Sequence, residues 1–105
     1  MDRKALESML DRGMDNSLLR YTLGTLCLQQ DDPESAVTHL QRALEQDDQH
    51  SASWKHFGKA LAALHRTDEA RDAWQRGIAV AEDKGDVQAV KEMRVFLKRL
   101  DKSQT

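Results

Sequence analysis

The sequence repeats itself. Laid over itself so that Gly24 meets Gly58, it also places Leu23 on Phe57, Cys27 on Leu61, Ala36 on Ala70, Leu40 on Trp74, and Ala43 on Gly77. Small side chains fall on small ones and bulky on bulky. A period of roughly 34 residues describes a unit that cannot bury its apolar face alone and does so by stacking on the next copy. Composition says which kind of unit. Five Gly and one Pro among 105 residues leave few breakers, and Ala, Leu, Glu, Gln, Lys and Arg abound, so propensity favours helix nearly throughout. With 39% apolar and 32% charged residues, the chain can fill one modest core and is too balanced for disorder.

Gly24 and Gly58 lie inside helical patterns, where glycine costs about 1 kcal/mol relative to alanine, so each requires a packing reason. A close helix crossing supplies one. A side chain at either position would push the paired helix away, and Ala36, Ala43, Ala70 and Gly77 are the small residues suited to such a contact.

The run Trp54-Lys55-His56-Phe57-Gly58-Lys59-Ala60-Leu61, with Ala70 and then Trp74 four residues later, resembles the tetratricopeptide repeat (TPR). That family's pattern is W-x2-L-G-x2-Y, then A-x3-F, then P, in a 34-residue helix-turn-helix. Arg20, Leu23, Gly24, Cys27, Ala36 and Leu40 form a looser first copy. Arg20 replaces the signature Trp, Cys27 replaces Tyr, and Asp48 and Glu82 stand where the pattern has its terminal Pro. Two full repeats, 17–50 and 51–84, cover about two thirds of the chain. The resemblance implies an all-α right-handed superhelix of antiparallel helix pairs, with about six helices in one domain over 1–105.

Half repeats complete the ends. Another step of the same length back puts Leu6 under Leu40 and Leu10 under Leu44, so 1–16 reads as a half repeat whose helix ends near Gly13, with Asp15 or Asn16 capping the next. Turns are expected at Gln30-Asp31-Asp32-Pro33-Glu34 and His65-Arg66-Thr67-Asp68-Glu69. For the last segment, 85–105, an offset of 36 works better than 34. It puts Val90, Met93 and Leu97 under Trp54, Phe57 and Leu61, and with Leu100 these form one helical stripe. The helix ending near Lys84 should then be longer by about half a turn. Arg94 takes the glycine position of this capping helix, where no partner helix follows.

The remaining chemistry is mostly exclusion. Sixteen basic against eighteen acidic residues gives a net charge of −2, with no global attraction for nucleic acid or an anionic membrane. The first 50 residues carry five basic and ten acidic side chains, and the rest eleven and eight, so an acidic end and a basic end are expected. Cys27 stands alone, which excludes an internal disulfide and leaves the cytoplasm as the default location. The charged N-terminus and the lack of a long apolar stretch speak against secretion and membrane spanning. His39, His50, His56 and His65 show no metal-ligand spacing, and no nucleotide-binding or nucleophile motif occurs, so neither a cofactor nor catalysis is expected. Trp54 and Trp74 read as core aromatics rather than ligand-stacking ones.

In TPR proteins the first helix of each repeat lines a concave groove for an extended or helical peptide, and the resemblance implies the same here. Its lining falls three before, one after and four after each glycine position: Tyr21, Thr25 and Leu28; Lys55, Lys59 and Ala62; and, in the capping helix, Lys91, Val95 and Lys98. The groove would run from apolar to basic. Lys55 and Lys59 repel one another at i, i+4, and either a partner's carboxylate or a neighbouring acid of this chain would offset that. Dicarboxylate-clamp TPRs have Lys and Asn where this first repeat has Tyr21 and Thr25, so that function is not carried over. The leading expectation is a protein-interaction module for a peptide segment, an acidic one included. Self-association through the end helices is the alternative, and nucleic-acid binding through Lys91, Arg94, Lys98, Arg99 and Lys102 is the third class.

Overall fold

The computed structural model describes residues 2–103. They form six helices: α1 (Arg3–Asp11), α2 (Ser17–Gln29), α3 (Pro33–Gln46), α4 (Ser51–Ala63), α5 (Thr67–Lys84) and α6 (Val87–Ser103), with no strand among the described residues. The tail at 104 and 105 lies outside them. The starts of the first three helices are set by short polar side chains: Asp2 accepts from the Ala5 amide, Asn16 from Leu19 and Asp32 from Ser35, with Pro33 opening α3. Asp15, the other cap candidate, is held instead by Arg20 at 2.7 Å, which keeps its carboxyl well below the usual range.

Four helix ends share one device. Gly13, Asp31, His65 and Gly85 all have positive φ. In each case the following amide reaches back to a carbonyl of the last turn, as Asp32 does to Cys27 at 2.8 Å and Arg66 to Leu61 at 2.9 Å. Asp31 and His65 occupy the same position in successive copies, so the repeat extends to a backbone conformation that neither residue type favours.

The glycines sit where the helices cross. A Cβ on Gly24 would lie 2.5 Å from Leu40 Cγ, and one on Gly58 would overlap the Trp74 indole, so the same contact occurs once per repeat. A Cβ on Gly77 would lie 2.7 Å from Trp54 Cβ and 2.6 Å from Met93 Sδ. Leu23, Leu40, Leu61, Met93 and Cys27 are fully buried along this spine. Trp74 is 4% exposed, and its indole N–H donates to the Lys55 carbonyl at 3.0 Å.

Two expectations are corrected in detail. Trp54 is only half-buried: its N–H donates to the Asp48 carbonyl at 2.8 Å, and Arg76 lies 5.9 Å above the ring. Helix α5 exceeds α3 by a full turn rather than half of one, with 18 residues against 14. The connection to α6 then shrinks to Gly85 and Asp86, which returns two of the four added residues and leaves the 36-residue offset. At the other end, Leu6 of α1 packs on Leu19 and Leu23 of α2.

Candidate functional site

Helices α2, α4 and α6 touch one another directly, α2 on α4 and α4 on α6, so the first helices of successive pairs form one continuous wall. Its two halves are built differently. Between α2 and α4, the Tyr21 ring stands edge-on to His50 at 4.8 Å and to His56 at 5.7 Å. His50 Nδ1 lies 2.7 Å from Ser53 Oγ, and Leu28 packs onto the core. Thr25 turns its hydroxyl back to the Thr22 carbonyl at 2.9 Å. Burial, then the charges of Lys55 and Lys59, push the His56 pKa down to about 4, so the imidazole is neutral. This junction is closed by ring packing.

Between α4 and α6 the wall opens. Lys55 reaches Glu92 at 3.3 Å, and Lys59 places its ammonium 5.0 Å from the Phe96 ring centre. Phe96 in turn leans on Trp74 at 5.3 Å. Beyond them lies a hollow of about 670 Å³ lined by Lys59, Ala62, His65, Thr67, Trp74, Phe96, Arg99, Leu100 and Ser103. Lys59 and Arg99 form no ion pair among the described residues; of the two acids on α6, Glu92 pairs with Lys55 and Asp101 with Arg71.

Of the nine residues singled out in the sequence, Lys59 and Ala62 line this hollow, and Lys55 stands beside it. Tyr21 and Leu28 belong to the closed half. Lys91 lies in a separate depression of about 380 Å³ with Val87, Val90 and Arg94, while Val95 and Lys98 are exposed outside the hollow. Phe96, Arg99 and Leu100 were not expected in the lining: Leu100 was read only as part of the packing stripe of the last helix, and Arg99 only as a basic residue of the nucleic-acid alternative. The 36-residue offset contains the signal, since His56 faces α2 and its counterpart Glu92 faces α4; Ala60 maps in the same way onto Phe96.

No group of three His, Cys, Asp or Glu side chains suited to a metal ion occurs among the described residues. Cys27 is fully buried, and burial pushes its thiol pKa up, which suits a packing role. No helix among the described residues is long and apolar enough to cross a membrane.

Helix pairs locked by one small-against-large contact per repeat, with a half pair at each end, define a helical-repeat protein. Comparison with known proteins makes the class specific. Residues 4–77 match the family model described as anaphase-promoting complex, cyclosome, subunit 3. The chain is 50% identical over 102 residues to a TPR repeat-containing protein of Pseudomonas aeruginosa, covering 97% of each. It is similar to the solution structure of a Bordetella parapertussis protein, with 42% identity, a TM-score of 0.85 and coverage of 98% and 90% of the two chains. The crystal structure of YrrB, a TPR protein with an unusual peptide-binding site, matches at 26% identity and a TM-score of 0.64 over 93% of this chain and 58% of that one. The chain belongs to the tetratricopeptide repeat family. Proteins of this family generally mediate protein–protein interaction, and the repeat is a non-catalytic fold.

Proposed function

We propose that this protein is an adaptor in the cytoplasm, one domain over 1–105, that binds a peptide segment of a partner along the wall of α2, α4 and α6. Tyr21, Thr25, Leu28, Lys55, Lys59 and Ala62 offer the surface, and Lys91, Val95 and Lys98 extend it at the open end. The observation that carries this reading is the state of the two lysines. Glu92 neutralises Lys55, whereas Lys59 keeps its charge beside an apolar hollow and favours an acidic segment. The likeness to YrrB, described by its peptide site, supports the same reading. A random-peptide library panned against wild type and against Lys55→Glu with Lys59→Glu tests it. Enrichment of a shared acidic motif on wild type, lost in the variant, is expected. Equal enrichment on both proteins contradicts the lysine-lined groove.

Stacking through the end helices is less well supported. Arg94, ion-paired with Glu82 at 3.1 Å, fills the position where an interlocking helix pair has glycine, and Leu6 is already buried on α2.

A further inference from the structure

The geometry points to the α4–α6 hollow as a two-part subsite that takes a large apolar side chain flanked by carboxylates, leaving the α2–α4 half of the wall outside the contact. This rests on the peptide-binding reading above and narrows it to one place and one ligand chemistry. Ala62, Phe96, Leu100 and the small exposed part of Trp74 give the hollow its apolar lining, and its volume of about 670 Å³ is ample for an aromatic or leucine side chain. Two cations, Lys59 and Arg99, stand on its rim. They sit on different helices, and neither is paired with an acid of this chain among the described residues. The Phe96 face holds the Lys59 ammonium at the hollow by a cation–π contact, which fixes its position without cancelling its charge. A carboxylate arriving there exchanges water for a charge-assisted hydrogen bond. The apolar neighbour gains by leaving water for Phe96 and Leu100. In the closed half, Tyr21 is already occupied with His50 and His56 and offers no equivalent space.

The test uses the full chain and three fluorescein-labelled hexapeptides read by fluorescence anisotropy. One carries two acidic residues on each side of a Leu-Phe pair, the second has amides in place of the acids, and the third keeps the acids around Gly-Gly. The first should bind most tightly, and its affinity should fall with added salt. Lys59→Glu with Arg99→Glu should weaken it by about tenfold or more, and should bring in a peptide with lysines flanking Leu-Phe. Phe96→Leu, which keeps the packing, should retain acid dependence while weakening the aromatic preference; circular dichroism checks each fold. Arg42→Gln, at an exposed site on α3 outside the wall, should change nothing. The proposal is overturned if none of the peptides binds, if the charge reversal leaves affinity for the first peptide unchanged, or if the amide peptide binds as well as the acidic one. Library peptides that bind elsewhere on the wall would leave the groove reading standing while this subsite fell.

Discussion

The two junctions of the wall formed by α2, α4 and α6 use the same fold for opposite ends. At α2–α4, Tyr21, His50 and His56 fill the space between helices, and the imidazole of His56 is kept neutral by burial. At α4–α6, the longer α5 and shorter connection present Glu92 and Phe96 to α4, so one lysine is neutralised and the other is left beside a hollow. Rings facing rings stabilise the stack. A cation facing an apolar recess leaves binding capacity unspent within the chain.

The sharpest way to break this comparison is at the two helix crossings. Gly58→Ala drives a methyl into the stiff Trp74 indole, and Gly24→Ala drives one against the branch carbon of the fully buried Leu40. Overpacking costs about 1–3 kcal/mol, and removing a helical glycine returns about 1 kcal/mol. By that balance both should lose stability, by up to about 2 kcal/mol, with Gly58→Ala losing more because an indole ring yields less than a leucine, measured by urea denaturation. Equal losses would mean that the two crossings are not distinguished by the stiffness of the opposing side chain.

A smaller effect separates the junctions by pH. His56 has its folded pKa lowered from 6.5 to about 4, by burial first and then by Lys55 and Lys59, against opposing Glu92. Its unfolded form binds a proton that the folded form refuses, so stability is complete above about 6.5 and declines as pH falls toward 4. His56→Gln should flatten that decline in thermal melts, whereas Lys59→Gln should retain a decline, made shallower by removing one repelling charge. An unchanged slope in His56→Gln would place the proton uptake elsewhere.

The smallest prediction concerns the turns that precede α3 and α5. His65 holds φ near 59° and Asp31 near 58°, and glycine adopts this region without a Cβ penalty. His65→Gly should raise stability by about 0.5–1 kcal/mol, and Asp31→Gly by a similar amount. Both are read from melting temperature. A loss in either would show that its side chain contributes more than its backbone costs.

Much of this architecture was legible because it is local or periodic. The pairing of Gly24 with Leu40 and Gly58 with Trp74 follows from one offset, and the 36-residue step to α6 was visible in Val90, Met93 and Leu97. The side of the last helix that meets α4 was not read. Carrying the pattern of Lys55, Lys59 and Ala62 forward gave Lys91, Val95 and Lys98, which do not line the hollow, because that pattern marks the side of α4 that meets the following helix, whereas the hollow is lined by the side of α6 that meets the preceding one. Phe96 and Arg99 become wall residues only once α6 has packed backward onto α4. Arg20 shows the same limit. In the place of the signature Trp it bridges Asp15 at 2.7 Å and His39 Nδ1 at 3.1 Å, a long-range polar clasp with no periodic signature.

The division between a closed and an open junction is tested most directly by a ¹⁵N-resolved NMR titration of the whole chain with the acid-flanked Leu-Phe peptide. Shifts concentrated at Lys59, Ala62, Phe96, Arg99 and Leu100, with Tyr21, His50 and His56 nearly still, are the expected result. Shifts centred on α2, or spread evenly along all three wall helices, would contradict it.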